Sequence, residues 1–481
     1  MNSLAAPSVG SLPVERQFTM LTPPKSLVTL GASFLTTRAA SRLRKGAPDF
    51  RAQDKHFQAL VAAQEKTAFG RENGLEKGLP YEKFQQRVPL RAYENFIPWI
   101  DRMKSGEADV LRPGRCQFYA VSSGTTAGRT KYLPITDGML AHFRKAGLDS
   151  LLYYTSRVGH AGVFQGKHLF LGGATSLTPM APGANGHQAY AGDLSGITAL
   201  NLPEWLERHY YEPGADIAQM SDWPAKINAI VQRTLHADVS LLAGIPSWIL
   251  ILAEELLKAG TKGKNRPVNL QALWPNFECL IHGGVPVAPF ADELRAICGP
   301  GVNFHEVYPA SEGFIAAQDA DSALGLRLMC DAGIHYEFLP MDQYHEDRLE
   351  LLGPRTVPLS GVKAGVDYAL VMTTPAGLCR YLIGDIVRFV STDIPRLVYA
   401  GRTKLQLSAF GEHVIEKELT DALTTVCQRH KWKVVNFHVA PVFVNALAGA
   451  RRGHHEWWVE LKPLSMETPT GPVLAAELDA E

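Results

Sequence analysis

The sequence predicts an α/β fold, in which a large N-terminal body of layered sheets and helices is followed by a smaller α+β lid domain. Three observations support this prediction. Short apolar segments with strand-like composition alternate with longer segments of helical periodicity. Several strand-like segments end in glycine pairs or polar turns, and the pattern changes near residue 390. A chain of 481 residues is long enough for two or three folding units.

The composition narrows the classes of partner and compartment. Lys and Arg together number 48, as do Asp and Glu, so the formal net charge is zero and nothing favours a nucleic-acid partner. The six cysteines stand far apart and form no Cys-x-x-Cys pair, which disfavours a zinc site and a disulfide framework. The longest apolar stretch starts at Leu241 and contains Pro246 and two glutamates, so it does not predict a membrane span. We therefore expect a cytoplasmic protein.

The predicted elements of the body begin with an amphipathic helix over residues 49–69, where apolar side chains recur at helical spacing among charges. The strand-like segments are HLFLGG from His168, SLLAG from Ser240, ECLIHGG from Glu278 and NFHEVYPA from Asn303. The helical segments between them include ITALNLPEWLERHYY and PSWILILAEELLKAG. Open α/β sheets bind ligands at the carboxyl ends of their strands, so Gly172-Gly173 and Gly283-Gly284 are either site walls or simple turns.

The smaller domain is predicted from the change of pattern after Asp385, where Ser, Thr, Asp and Pro interrupt the apolar periodicity. We place the large domain at residues 1–390 and the small domain at residues 391–481. The small domain contains one helical segment, VIEKELTDALTTVCQRH, and two alternating strands, VVNFHVAPVFV and HEWWVELKPL.

A hydroxyl-rich segment, SSGTTAGRTK at residues 122–131, lies between two extended segments. Its glycines allow backbone N–H groups to approach an anion, its hydroxyls are short donors, and Arg129 or Lys131 can neutralise phosphate charge. The segment differs from the Walker sequence, and no Gly-x-Gly-x-x-Gly occurs in the chain. It is therefore a candidate phosphate loop, and the alternative interpretation is a polar hairpin loop.

Two further segments place carboxylates beside strands. In YPASEG, Tyr308 ends a strand, and Ser311 and Glu312 enter a turn where one carboxylate can hold Mg²⁺ together with substrate phosphates. The alternative for this pair is the start of a helix. In CRYLIGDIVRF, Asp385 can accept two hydrogen bonds from the vicinal hydroxyls of a ribose. An Asp in a β-turn is the common alternative.

A fourth segment, AGRTKLQLSAFGEH, places Arg402 and Lys404 at the apparent domain junction, where they contact a nucleotide or cap a solvated strand. Hydrolase chemistry is disfavoured, because the chain has no Gly-x-Ser-x-Gly elbow and no His-Glu-x-x-His. The adjacent His454 and His455 point to opposite faces of a predicted strand, which favours a surface position over a metal site.

The order and spacing of these four segments resemble those of the adenylate-forming superfamily of acyl-CoA synthetases, luciferases and peptide-synthetase adenylation domains. More narrowly, the chain resembles the auxin-responsive acyl acid amido synthetases, known as the Gretchen Hagen family, and especially its bacterial members. The matching segments are TAFGRENG, VPLRAYENFIPWIDRMKSGEADVLRPG, YAVSSGTTAGRTKYLPIT, VYPASEG, HYEFLP, CRYLIGDIVRF and GRTKLQLSAFGEHVIE. They cover most of the chain from about residue 60 to residue 420.

The resemblance implies an acid–amine ligase that uses ATP and Mg²⁺, converts a small carboxylic acid into its acyl-AMP and transfers the acyl group to an amino acid or another amine. The implied phosphate loop is Ser122, Ser123, Gly124, Thr125, Thr126 and Lys131, and the implied catalytic residues are Lys131, Thr126 and Glu312. Glu312 is the implied Mg²⁺ ligand, and the implied nucleotide contacts are Tyr308 against adenine, Ser311, and Asp385 and Arg402 on the ribose. Gly283 and Gly284 are implied to line the nucleotide and acyl pocket, and Lys404 lies where the small domain hinges.

The C-terminus departs from the family pattern. Members of the family continue through another helix to a late loop that carries a lysine, whereas this sequence stops at LAAELDAE, in the expected start of that helix. We therefore expect an incomplete small domain, in which the late lysine cannot be assigned. Two alternatives stay open: an acyl-CoA synthetase that uses a thiol in the second half-reaction, and a non-catalytic protein that binds a nucleotide or an acyl ligand. The sequence does not name the acid, the amine or the oligomeric state.

Overall fold

A computed structural model describes residues 24–44, 50–122, 130–173, 175–183, 186–261, 267–403, 416–444, 452–462 and 469–480. No helix within these ranges is long and apolar enough to cross a membrane.

The helices of the described residues are α1 (Lys25–Arg44), α2 (Phe50–Gln64), α3 (Ala68–Glu72), α4 (Tyr81–Arg87), α5 (Tyr93–Lys104), α6 (Asp137–Val158), α7 (Leu194–Leu200), α8 (Glu204–His209), α9 (Ala215–Ala218), α10 (Trp223–Thr234), α11 (Pro246–Gly260), α12 (Leu270–Leu273), α13 (Ala291–Cys298), α14 (Glu416–His430) and α15 (Gly471–Ala480).

The strands of the same ranges are β1 (Phe118–Ser122), β2 (Lys131–Ile135), β3 (Lys167–Leu171), β4 (Thr178–Pro179), β5 (Tyr190–Gly192), β6 (Tyr211–Glu212), β7 (Val239–Gly244), β8 (Cys279–Gly283), β9 (Asn303–Ala310), β10 (Gly313–Ala317), β11 (Leu326–Leu328), β12 (His335–Pro340), β13 (Val357–Pro358), β14 (Asp367–Thr373), β15 (Tyr381–Ser391), β16 (Arg396–Arg402), β17 (Val434–Val444) and β18 (Arg452–Leu461).

Twelve of these strands form one mixed sheet, in the order β13-β12-β14-β15-β16-β11-β10-β9-β8-β7-β3-β6. The pairs from β6 to β9 are parallel, and the pairs from β9 to β13 are antiparallel. Helices α10, α11 and α13 pack on one part of the parallel half, while α6 contributes to a separate cluster with β7 and β8. The α/β fold class is therefore confirmed, and β9 is the strand at which the sheet changes direction.

Most predicted elements of the body lie where the sequence placed them. The four strand-like segments are β3, β7, β8 and β9, and the N-terminal amphipathic helix is α2, which buries Phe57 and Val61. The segment predicted to be helical over residues 197–211 is helical in two parts. It is divided into α7 and α8, because Pro203 has no backbone N–H to donate and its ring clashes with a continuous helix.

A fully buried ion pair ties the N-terminal helices to the antiparallel half of the sheet. Arg380 and Glu337 are 0% and 1% exposed, and Arg380 donates from Nε to Glu337 Oε2 at 3.0 Å and from Nη2 to Oε1 at 2.9 Å. Arg380 also donates to the carbonyls of Gln85 and Val88 at the end of α4, and to that of Gly353. The guanidinium therefore has several acceptors, as a buried charge requires.

The C-terminal elements form a separate small unit. Helices α14 and α15 pack with the hairpin of β17 and β18 around a core that includes Leu423, Val426 and Leu478. The main sheet continues past the predicted boundary at residue 390, because β16 pairs with β15 and ends at Arg402. We therefore place the proposed domain boundary after Arg402.

Candidate active site

The hydroxyl-rich segment joins the two strands of a hairpin. β1 pairs antiparallel with β2, and Ser122 lies opposite Lys131 at the end of the pair that the segment connects. The other predicted loop residues, Ser123, Gly124, Thr125 and Thr126, lie outside the described residues, as does Lys404 at the domain junction.

Glu312 and Ser311 lie in the turn of the β9–β10 hairpin, where Ala310 pairs with Gly313. The alternative interpretation of this pair as the start of a helix is therefore wrong, because an antiparallel strand follows directly. The turn occurs where the parallel half of the sheet meets the antiparallel half. Ligands of open α/β sheets bind outside the carboxyl ends of strands, and this turn follows the carboxyl end of β9.

Asp385 lies in β15 and is only 5% exposed. Tyr308 on β9 donates its hydroxyl to Asp385 Oδ2 at 2.5 Å, and Arg402 Nε on β16 lies 3.4 Å from Oδ1. Burial, and the charge of Asp385, raise the pKa of Tyr308 well above its ordinary value, so the phenol remains a donor. Three of the four predicted nucleotide contacts thus form one contact group.

A bulge in β15 explains the position of Asp385. The pairing of β15 with β14 shifts register between Ala369 and Val371, and Gly384 has a positive φ of 94°. Glycine adopts this conformation without the cost that a side chain adds. Bulges re-aim neighbouring side chains, so Asp385 is part of a distorted strand. The alternative of an Asp in a β-turn is wrong.

The predicted glycine pairs end two parallel strands. A Cβ on Gly283 would lie 2.2 Å from the carbonyl oxygen of Val307, so only glycine fits beside β9 there. Gly284 follows with a φ of 83°. The carbonyls of Gly172 and Gly173 both accept hydrogen bonds from the buried Lys226, at 3.1 and 2.7 Å, so this second pair is a fixed turn.

Tyr381 joins two of the predicted catalytic residues, although the sequence analysis did not select it. Its hydroxyl donates to Glu312 Oε1 at 3.1 Å, and Lys131 Nζ lies 3.5 Å from the Tyr381 hydroxyl oxygen. Lys131 also lies 5.5 Å from the centre of the Tyr93 ring. The only sequence signal for Tyr381 was its place in CRYLIGDIVRF, four residues before Asp385.

Two cavities adjoin the β1–β2 hairpin. A cavity of about 180 Å³ is lined in part by Lys131 and Arg402, so it connects the two contact groups. A cavity of about 560 Å³ is lined in part by Tyr132 and Asp193. Successive strand residues point to opposite faces of a sheet, so Lys131 lines the smaller cavity on one face and Tyr132 lines the larger cavity on the other. The larger cavity falls within the usual range for ligand pockets, about 300–1,000 Å³.

Glu312 suits a magnesium ion that relies on substrate phosphates for its other ligands. Mg²⁺ in nucleotide sites usually takes one or two carboxylates and completes its shell with phosphate oxygens and water. Across the described residues, no group of three or more His, Cys, Asp and Glu side chains could form a metal cage. Glu312 would thus supply a single carboxylate, one of whose oxygens Tyr381 already orients.

Two family models match the chain in sequence order. The GH3 family N-terminal domain matches residues 49–303, and the GH3 family central domain matches residues 327–402. The probable indole-3-acetic acid-amido synthetase GH3.2 of Oryza sativa subsp. japonica is 24% identical over 451 residues, covering 77% of this chain and 69% of that protein. The indole-3-acetic acid-amido synthetase GH3.10 of Arabidopsis thaliana is 26% identical, covering 79% of this chain and 74% of that protein.

Solved structures share the fold. The AtGH3.15 acyl acid amido synthetase in complex with 2,4-DB has a TM-score of 0.72 at 19% identity, over 92% of this chain and 84% of that chain. The 2-hydroxyisobutyryl-CoA ligase in the postadenylation state has a TM-score of 0.53 at 15% identity, over 95% and 82%. Because the first family match spans more than half of the sequence and the second follows it in order, the chain belongs to the GH3 family.

Proposed function

We propose that the protein is an ATP-dependent acyl acid amido synthetase, which activates a small carboxylic acid as its acyl-AMP and transfers the acyl group to an amino acid or another amine. Membership of the GH3 family and the names of the amido synthetases it resembles support this activity. The proposed roles of individual residues rest on the contacts described above.

One observation carries the proposal: two contact groups that suit the two ends of ATP lie beside each other. Lys131, Tyr381 and Glu312 offer a cation and a carboxylate for phosphates and Mg²⁺. Asp385 and Arg402 offer a carboxylate and a guanidinium for the ribose. The smaller cavity, which both Lys131 and Arg402 line, connects these groups.

In the first half-reaction, a carboxylate oxygen of the acid attacks the α-phosphorus of ATP. A new O–P bond forms, the bond to the bridging oxygen breaks, and pyrophosphate leaves with that electron pair. Lys131 neutralises charge that develops on the phosphate oxygens, while Glu312 would hold the metal. Mg²⁺ at Glu312 would supply positive charge that stabilises the phosphates during the reaction.

In the second half-reaction, a neutral amine attacks the carbonyl carbon of the acyl-AMP. An amide C–N bond forms, the acyl C–O bond to phosphate breaks, AMP leaves, and the amine nitrogen releases one proton to solvent. The mixed anhydride is a good acyl donor, so the protein mainly needs to orient the two reactants and exclude water.

The activity is tested by exchange of labelled pyrophosphate into ATP in the presence of indolyl, aryl and aliphatic acids. We expect acid-dependent exchange, and a loss of about 10²–10³-fold for Lys131→Met, the usual effect of removing one group that stabilises transition-state charge. An absence of acid-dependent exchange over the whole panel would contradict the proposed adenylation step.

A second assay identifies the acceptor. Each active acid is incubated with ATP and either a mixture of amino acids or coenzyme A, and the products are identified by mass spectrometry. We expect an amide with an amino acid. A thioester in place of the amide would instead support the acyl-CoA synthetase alternative, and acid-dependent exchange without either product would limit the proposal to adenylation.

A further inference from the structure

The phenol of Tyr381 is held more firmly than the two charged groups that it contacts. Tyr381 is 0% exposed and begins β15, where its backbone bridges to Arg91. Its ring packs edge-on against Phe96, with ring centres 5.8 Å apart. By contrast, Lys131 begins a strand and Glu312 lies in a hairpin turn, and both are partly exposed. The phenol is therefore the fixed member of the three.

The direction of the two hydrogen bonds follows from the chemistry of the groups. An ammonium only donates, and an ionised carboxylate only accepts. The Tyr381 hydroxyl must therefore donate to Glu312 and accept from Lys131, the latter at the long limit of a hydrogen bond. A tyrosine phenol is protonated at neutral pH and can therefore donate to a carboxylate.

This arrangement has a consequence for both charged groups. A direct ion pair between Lys131 and Glu312 would engage the cation and the carboxylate with each other. Among the described residues, the neutral hydroxyl of Tyr381 lies between the two charged groups instead. It accepts from Lys131 and donates to one oxygen of Glu312. The hydroxyl thus orients one oxygen of Glu312, and the ammonium keeps donors for another acceptor.

We propose that Tyr381 is a positioning residue, which orients Glu312 towards the metal and separates it from Lys131. The inference rests on the proposed function, because it takes Lys131 and Glu312 as the phosphate and magnesium contacts. It adds a residue that acts through them. Outer groups that orient a ligand to a metal typically change metal affinity or activity by about 10–100-fold when they are removed.

The test compares Tyr381→Phe with a matched control, Tyr336→Phe. Tyr336 is also 0% exposed, and it lies in the same row of the sheet, since it pairs with Met372, which pairs with Tyr381. Its hydroxyl makes no hydrogen bond within the described residues. Both variants remove one buried phenolic oxygen, but only the first removes a contact to Glu312.

The first readout is binding of ATP by calorimetry without acid, measured with saturating Mg²⁺ and again with excess chelator. For Tyr381→Phe we expect the gain in affinity from Mg²⁺ to fall about tenfold, with metal-free binding unchanged and a melting temperature close to that of Tyr336→Phe. The second readout is pyrophosphate exchange, where kcat should fall more than KM for the acid rises.

Two outcomes would overturn the inference: equal Mg²⁺-dependent gains in affinity for the two variants, or a loss of stability in Tyr381→Phe without any change in the Mg²⁺ effect. Failure of the proposed function is distinguishable, because it would show as absent acid-dependent exchange in the unaltered protein. The calorimetric comparison would still decide whether the phenol orients a magnesium ligand.

Discussion

Two carboxylate–arginine pairs lie near the same strand, and they differ in how open they are. Glu337 and Arg380 are 1% and 0% exposed, and Arg380 directly precedes β15. Asp385, within β15, is 7% exposed at its side chain, while its partner Arg402 is 38% exposed. In the first pair both side chains are shielded from solvent, and we call it the closed pair. In the second pair the arginine is partly exposed, and we call it the open pair.

The contacts of the two pairs explain what this difference means. Arg380 meets Glu337 through two hydrogen bonds and adds carbonyls from α4 and from Gly353, so protein atoms surround the charge. Arg402 meets Asp385 at 3.4 Å and lines a cavity. A closed pair can only support the fold, whereas an open pair beside a cavity can also receive a ligand. Carboxylate–arginine pairs near one strand can therefore serve two different purposes.

The largest loss of stability is expected when the charge of Glu337 is removed from the closed pair. Glu337→Gln leaves the Arg380 charge buried without its counter-charge, which typically costs about 3–5 kcal/mol of unfolding free energy. Burial alone would raise the pKa of Glu337, but the facing Arg380 holds it below its ordinary value, so the carboxylate is charged at neutral pH. Urea unfolding followed by circular dichroism measures the loss.

A matched control for this prediction is Asp367→Asn. Asp367 pairs with Arg388 across β14 and β15 at 2.7 Å, but the two side chains are 27% and 39% exposed. Exposed pairs usually contribute about 0.2–1 kcal/mol, so this variant should lose much less stability. A similar loss for Glu337→Gln and Asp367→Asn would show that the closed pair is not special.

An intermediate effect is expected from Asp385, and it should appear in nucleotide use. If Asp385 accepts hydrogen bonds from ribose hydroxyls, Asp385→Asn removes a charged acceptor, and such bonds contribute about 1.5–3 kcal/mol. We expect a higher KM for ATP with a smaller loss of stability than in Glu337→Gln. The measurement is pyrophosphate exchange as a function of ATP concentration.

The unaltered protein supplies the control for Asp385. It should use 2′-deoxy-ATP less well than ATP, and Asp385→Asn should reduce that preference, because the variant no longer distinguishes the two sugars. Equal use of both nucleotides by the unaltered protein would contradict the ribose assignment. Asp367→Asn should leave the nucleotide preference unchanged.

The comparison of the two pairs also shows which features the sequence can predict. The strands of the parallel half were predictable because they are short apolar runs that end in glycines or polar turns, as in β7 and β8. Asp385 was predictable as a candidate because it follows Gly384 in a recognisable segment. These signals are local in the chain.

Features that depend on distant contacts were not predictable in the same way. Glu337 and Arg380 lie in HYEFLP and CRYLIGDIVRF, but nothing in either segment says that they meet each other. Tyr381 was missed for the same reason, since its role depends on Lys131 and Glu312 from two other elements. A closed pair and an open pair look alike in the sequence, because exposure is decided by what packs around them.

The smallest effect is expected from a third cation–carboxylate cluster, which lies between the C-terminal unit and the body. Lys462 follows β18 and donates to Glu254 of α11 at 3.0 Å and to Glu293 of α13. Burial would lower the pKa of Lys462, but the two glutamates raise it above its ordinary value. The side chains of Lys462 and Glu254 are 32% and 44% exposed, so salt and water screen the contact.

We expect Lys462→Met to lower the unfolding free energy by less than about 1 kcal/mol, and to do so at low salt more than at high salt. Lys258→Met is the control, because Lys258 pairs with Glu255 on the same helix and makes no contact with the C-terminal unit through that pair. If the C-terminal unit moves as a lid between the two half-reactions, weakening its contact with α11 should change the rate of pyrophosphate exchange and the rate of amide formation by different factors. Equal changes in the two rates would argue against a lid that Lys462 helps to hold.

A stability loss as large as that of Glu337→Gln would show that an exposed cluster can matter as much as a closed pair, which is the reverse of what the exposure of these side chains predicts.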